Sequence, residues 1–351
     1  MNNGPEYPQW TSNEIERLRA GYFSDQYFNR VAAVGRRYFP QRRALMQIFQ
    51  KREAILCGIP EVLDLLKKVP AHPETLQIAT LPEGSAIFPE EPVLTIEGPY
   101  VDFAPLETIY LGLLARRTKI ATNVHRAVTA AGRKPVLFFA ARDDDFRVQE
   151  GDGYAAKVGG AAACATNASA IWWHQPGVGT MSHSFIALCD GDIVLACQRF
   201  HEMFPEQDLI ALVDYHNDCV TDALKAADAM GPALKGVRLD TSETMVDRSL
   251  WEKLGRFNPT GVNVPLVENV RSALDKHGYH QVQIMVSGGF TPEKIAAFEK
   301  ASAPVDTYAI GEFFMSGQYT FTADIVEVDG RPQSKAGRKR IPSTRLHPVE
   351  L

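Results

Sequence analysis

From residue 135 onward the chain repeats one pattern: a short apolar run, a loop, an amphipathic helix, then the next apolar run. The runs are PVLFFAAR, LIALVDY, KGVRLD, QVQIMVSG and DTYAIGE. The helices CVTDALKAADAM, VPLVENVRSALDKHG and TPEKIAAFEKAS separate the later ones. Strands this apolar, alternating with helices, specify a parallel sheet covered on both faces. Five strands are clear, and an eight-stranded barrel needs three more from the stretch 150–208. Polar residues and glycines gather where the runs end: Arg142, Asp214, Arg238, Asp240, Ser287, Gly288 and Gly311. Parallel barrels and open sheets place their active sites at that end.

The rest of the chain differs. Ser12-Asn13-Glu14 opens a short helix closing at Ala20-Gly21, and SDQYFNRVAAVGRRYF reads as a helix capped by Ser24 or Asp25. In LQIATLPEGSAIFPEEPVLTIEGPY, turns interrupt short β-prone runs, as in a small antiparallel sheet. The segment FAPLETIYLGLLARRTKIATNVHRAVTAAG has helical spacing and ends at Gly132. The tail YTFTADIVEVDGRPQSKAGRKR is β-prone with a DG hairpin turn, and could return to pair with the N-terminal sheet.

A length of 351 residues suggests about two domains. At 45% hydrophobic and 23% charged, the chain is an ordinary globular one rather than a disordered or coiled-coil one. A net charge of −5 gives no reason to expect nucleic-acid binding. Five scattered cysteines without a CxxC pair argue against a disulfide framework or a zinc ribbon. With no apolar leader core and no membrane-length run, a cytoplasmic protein is expected.

Four segments carry chemistry. In VSGGFTPEK two glycines end a strand and Thr291-Pro292 starts a helix. Exposed N–H groups there suit a phosphate, although a tight turn needs glycine for steric reasons too. Gly311 forms a second such turn. In GVRLDTSE, Arg238 and Asp240 alternate and point to one side, for an anion and sugar hydroxyls or for a structural salt bridge. In GTMSHSF, His183 is a nucleophile, a general base or a hydrogen-bonded structural residue. In FFAAR, Phe139 and Arg142 can offer a ring face and a cation to a planar anion, or be core and surface residues.

Taken together, and in this order along residues 20–345, these segments resemble the nicotinate phosphoribosyltransferases, with nicotinamide and quinolinate phosphoribosyltransferases as relatives. PEGSAIFPEEPVLTIEGP resembles the family's hairpin before its LET helix. FFAAR, ATN at 165–167, GTMSHSF, GVRLDT, VSGGF, AIGEF and IVEVDGRPQSKAGRKR match its later motifs. The resemblance implies an incomplete parallel α/β barrel over 131–316. It also implies an open-faced α/β sandwich domain from both chain ends, 1–130 with 317–351. The implied reaction joins nicotinate to phosphoribosyl pyrophosphate, releasing pyrophosphate and forming nicotinate mononucleotide for NAD. Mg²⁺ is the implied cofactor and ATP the implied co-substrate, acting through phosphorylated His183. A homodimer with shared sites is implied.

By the same resemblance, Arg238 and Asp240 contact ring and ribose, and Phe139 and the partner subunit's Tyr27 stack on the ring. Arg142 lies near the carboxylate and phosphate, and Asp214 ends a VDxYD-like strand. Ser287, Gly288, Gly289 and Gly311 bind phosphate. The sequence departs from the pattern at Cys164-Ala165-Thr166-Asn167, at Gly289 where many relatives have aspartate, and in the acidic run Asp143-Asp144-Asp145. Neutral Thr166 stands where amide-selective relatives carry aspartate, which favours an acid substrate. The alternatives are a quinolinate or nicotinamide phosphoribosyltransferase, or a non-catalytic nucleotide sensor.

Overall fold

The computed structural model describes residues 6–351. Its contacts divide the chain into two compact units, Met1–Asn123 with Arg147–Gly160 and Ser316–Leu351, and Val124–Phe146 with Ala161–Met315.

The first unit opens with helix α1 (Ser12–Arg19). Its cap is Thr11, one residue before the expected start. Glu14 N donates to Thr11 Oγ1 at 3.3 Å and Thr11 N to Glu14 Oε2 at 2.8 Å, a reciprocal capping box. Helix α2 (Gln26–Tyr38) follows Asp25 at the cap position. Next come β1 (Arg43–Gln50), β2 (Ala54–Ile55), α3 (Ile59–Lys68), β3 (Gln77–Thr80), β4 (Ala86–Ile87), β5 (Leu94–Pro99), α4 (Tyr100–Phe103) and the long α5 (Glu107–Ala131). Ile48, Leu56, Leu65, Leu81, Ile96, Phe103 and Tyr110 are fully buried in one cluster. Each such aliphatic side chain contributes roughly 1.5–3 kcal/mol.

The second unit holds the parallel sheet. Strand β6 (Val136–Phe138) is followed by α6 (Gln149–Val158), and then come β7 (Ala163–Cys164), α7 (Asn167–Ala170), α8 (His183–Leu188), α9 (Ile193–Met203), β8 (Leu209–Leu212), α10 (Cys219–Met230), β9 (Leu234–Leu239), α11 (Val264–Lys276), β10 (Gln283–Val286), α12 (Pro292–Lys300) and β11 (Thr307–Ile310). Of these, α6 groups with the first unit. The strands lie in the order β7-β6-β11-β10-β9-β8, all neighbours parallel. The six-stranded sheet has two open edges, β7 and β8, so the barrel is incomplete. The stretch 150–208 supplies one of them, the two-residue β7, too short to leave a periodic signal. Leu137, Ala163, Met285 and Ala309 form a small apolar cluster with Phe139 and Ile210 against it.

Sequence places residues 147–160 in the barrel domain, whereas the structure puts them in the first unit. The cause is Asp152 on α6. Arg116 Nε and Nη2 both donate to its carboxylate at 2.8 Å, and Arg117 Nη1 lies 3.6 Å away. A side chain at Gly151 would collide with the Arg117 guanidinium. Two facing arginines hold α6 in place.

The chain end completes the first unit with β12 (Phe321–Val328), β13 (Arg331–Pro332) and β14 (His347–Val349). Strand β12 pairs antiparallel with β1, Ile48 opposite Ala323, giving the order β13-β12-β1-β5-β3-β14. Asp329 and Gly330 both have positive φ, 48° and 72°, as a type I′ hairpin turn requires. Both chain ends therefore build one sheet. Among the described residues no helix is long and apolar enough to cross a membrane. All five cysteines are buried and none forms a disulfide.

Candidate active site

The parallel strands deliver their C-terminal residues to one end of the sheet, since neighbouring strands are in register there. Arg238 lies opposite Met285 and Leu239 opposite Val286, so Asp240 and Ser287 emerge side by side. Ser287 Oγ donates to Asp240 Oδ1 at 2.7 Å.

Asp214 leaves the end of β8 and meets His183, the first residue of α8. Ser182 caps that helix by accepting from Phe185 N at 3.2 Å. His183 Nε2–H donates to Asp214 Oδ1 at 2.9 Å. The imidazole is 46% exposed and the carboxylate only 5%, so a reagent can reach the ring while its partner is shielded. Burial pushes the Asp214 carboxyl above its usual range, His183 pulls it back, and Asp240 raises it further. In the neutral tautomer that donates from Nε2 to this carboxylate, Nδ1 carries the lone pair.

Among the described residues the Arg238 side chain makes one hydrogen bond, Nη2 to Met181 O at 3.3 Å. Its Nε is buried without a partner. Burial lowers its pKa, Asp240 and Asp214 oppose that, and Arg142 adds to the lowering. A buried guanidinium edge with no acceptor is costly unless a ligand supplies one. Arg142, Arg238, Asp214 and Asp240 thus form one electrostatic group, with His183 attached through Asp214.

Two glycine turns adjoin it. Gly288 and Gly289 have φ of 81° and 63°, which glycine adopts without strain. A Cβ on Gly288 would stand 3.4 Å from Asp240 Oδ1, and one on Gly289 would run into the Glu243 carboxylate. Thr291 caps α12 by accepting from Lys294 N at 3.3 Å, with Pro292 at the first helical position. At Gly311 a Cβ would approach Asp143 Oδ2 to 2.7 Å and Phe139 O to 3.1 Å. Phe139 N donates to Ile310 O at 2.7 Å, which ties the ring-bearing residue to this second turn.

The other expected residues are less central. Thr166 caps α7, its Oγ1 accepting from Ser169 N at 3.1 Å. Tyr27 lies on α2 of the first unit, 57% exposed and tilted against Phe28. Sequence reading passed over three groups, the Met181 carbonyl, Glu243 and Lys294. All three lie inside segments it had singled out, Met181 two residues before His183, Glu243 three after Asp240 and Lys294 five after Gly289.

Residues 25–118 match the family described as quinolinate phosphoribosyl transferase, N-terminal domain. The chain is 30% identical over 276 residues to nicotinate phosphoribosyltransferase pncB1 of Mycobacterium tuberculosis, covering 75% of this chain and 56% of that protein. A relative of the same name in Bacillus subtilis is 23% identical, covering 66% and 44%. The chain thus spans about half the length of these curated relatives. A crystal structure of nicotinate-nucleotide pyrophosphorylase from Pyrococcus furiosus superposes with a TM-score of 0.81 at 32% identity, over 99% of this chain and 86% of the other. Human nicotinic acid phosphoribosyltransferase shares the fold, with a TM-score of 0.68 at 18% identity over 89% of this chain and 76% of the other. The chain belongs to the nicotinate phosphoribosyltransferase family, with the quinolinate phosphoribosyltransferases as its relatives.

Proposed function

We propose that the protein is a nicotinate phosphoribosyltransferase that forms nicotinate mononucleotide and pyrophosphate from nicotinate and phosphoribosyl pyrophosphate, in the synthesis of NAD. The observation that carries this reading is Arg238, a largely buried cation with an unpartnered edge near Asp214 and Asp240, the latter beside the Gly288 turn. In the reaction the bond from ribose C1 to pyrophosphate breaks, its electrons leaving with pyrophosphate, and the pyridine nitrogen attacks C1. Positive charge develops on the ribose, where the Asp240 carboxylate stabilises it, and Arg142 and Arg238 hold the anionic groups. Phe139 offers the ring a flat apolar face. Thr166, being neutral, leaves room for the nicotinate carboxylate.

Asp214 and Asp240 would offer hard oxygen donors to an Mg²⁺ ion held together with substrate phosphates, and the ion would supply charge neutralisation of the leaving group. In the same reading His183 Nδ1 takes the γ-phosphoryl group of ATP: an N–P bond forms, the β–γ bridging P–O bond breaks and ADP departs. Asp214 holds the opposite nitrogen and orients the ring for that step. The exposed apolar positions of α2, Tyr27, Val31, Val34 and Tyr38, recur at helical spacing and suit a second copy of this chain. Tyr27 of that copy would then serve its partner's site.

Quinolinate is the second reading, favoured by the family description matched over residues 25–118 and by the presence of two cations, Arg142 and Arg238, for two carboxylates. Product analysis with nicotinate, nicotinamide and quinolinate, each with and without ATP, separates the readings. Nicotinate mononucleotide from nicotinate, formed faster with ATP, is expected. Carbon dioxide release from quinolinate alone would replace the assignment, and no product from any base would leave a binding protein.

A further inference from the structure

We propose that Lys294 is the cation that reads the terminal phosphate of the sugar substrate at the Gly288–Gly289 turn, and that Glu243 is an internal anion which that phosphate displaces. This rests on the phosphoribosyl reading above and extends it to two residues with no role there.

Lys294 stands in the first turn of α12, the helix that begins beside the glycine turn. Its Nζ makes one long contact, 3.4 Å to Gly288 O, and sits 4.4 Å from the centre of the Phe290 ring. An ammonium has three donors, and among the described residues no carboxylate comes within ion-pair distance of this one. Burial depresses its pKa, and Glu243 opposes this. The ammonium is therefore part-desolvated and short of an acceptor, beside backbone at the positive end of a helix.

Glu243 lies on the same turn from the other side. Its carboxylate occupies the space where a Cβ on Gly289 would project. A carboxylate there repels an arriving phosphate dianion, whereas Lys294 attracts it. Together they keep the turn near neutral until a phosphate enters, moves the Glu243 side chain into solvent and takes Lys294 as its counter-ion. Glu243 is exposed, so its side chain has water to move into.

The test is calorimetric titration of ribose 5-phosphate, which carries the phosphate without base or pyrophosphate, into wild type, Lys294→Gln, Lys294→Arg and Glu243→Gln. Lys294→Gln should weaken binding at least about tenfold. Lys294→Arg, which keeps the cation, should remain within about threefold of wild type. Glu243→Gln should tighten binding by about threefold or more, because a like charge is removed. Wild-type affinity in Lys294→Gln would overturn the first assignment. Weaker binding in Glu243→Gln would overturn the second, since the carboxylate would then be holding sugar hydroxyls. If Lys294→Gln does not fold, the Arg and Glu243 variants still decide. A wild type that neither binds ribose 5-phosphate nor forms product overturns the parent reading as well. Turnover by a wild type whose variants bind alike overturns this proposal alone.

Discussion

Arg117 and Arg238 are both largely buried arginines, one in each unit, and their partners differ. Arg117 donates through Nε and Nη2 to both oxygens of Glu61, at 2.7 and 3.0 Å, with Asp152 at 3.6 Å. Burial alone would lower its pKa, but Glu61 and then Asp152 more than offset this, and the net shift is upward. Arg238 has one carbonyl at 3.3 Å and an unpartnered Nε, and for it burial prevails. A guanidinium saturated by carboxylates is a structural tie. One left with a bare edge among separated carboxylates is arranged for something that arrives from outside.

The sharpest way to break this contrast is Arg117→Ala. It leaves Glu61 buried without its cation and loosens α6 through Asp152. Loss of stability of about 3–5 kcal/mol is expected, read by urea denaturation. A change below about 1 kcal/mol would mean that the network is not a tie. Next is Arg238→Ala, which should lower kcat/KM for nicotinate about 10²–10³-fold while the melting temperature stays level or rises. A large drop in melting temperature would make Arg238 structural like Arg117, and the contrast would fail.

A smaller effect is expected at Thr166. Thr166→Asp brings a like charge towards a substrate carboxylate. The ratio of kcat/KM for nicotinate over nicotinamide should then fall by at least about tenfold, or roughly 1.4 kcal/mol. An unchanged ratio in a folded variant would place Thr166 away from the base, leaving only its capping role on α7.

The mildest effect concerns Glu107, at the start of α5. Burial pushes its carboxyl up to about 7, aided by Asp324 and Asp25. Because its pKa is higher folded than unfolded, the folded chain holds the proton more tightly. This contribution is fully present below about pH 4.5 and is lost as pH rises through about 7. Glu107→Gln should match wild type in melting temperature near pH 4.5 and exceed it at pH 8. A constant difference across that range would contradict the shift.

Local features were legible because local chemistry determines them. Thr291-Pro292 reads as a helix start from the hydroxyl and the ring alone, and Asp329-Gly330 reads as a hairpin because two positive φ angles are needed there. The apolar runs announced a parallel sheet, and the glycines and charges at their ends marked where a site lies. Pairings across long stretches of chain were not legible. Nothing near residue 183 points to Asp214, 31 positions away, and nothing near α6 points to Arg116. The two-residue β7 forms because β6 offers it a parallel edge, not because its own sequence demands a strand.

The sequence by itself determined the family motifs, the alternation that makes a parallel sheet, and the caps and turns, since each depends on a few adjacent residues. Only the tertiary structure decided which charges are spent on each other and which are left for a ligand. Glu61, Glu243, Asp152 and Asp214 are all carboxylates to a sequence reader. Burial and a partner's position make two of them ties to arginines, one a histidine's orienter and one an anion resting on a glycine turn. Desolvation and hydrogen-bond geometry are properties of folded space, so they appear only once distant segments meet.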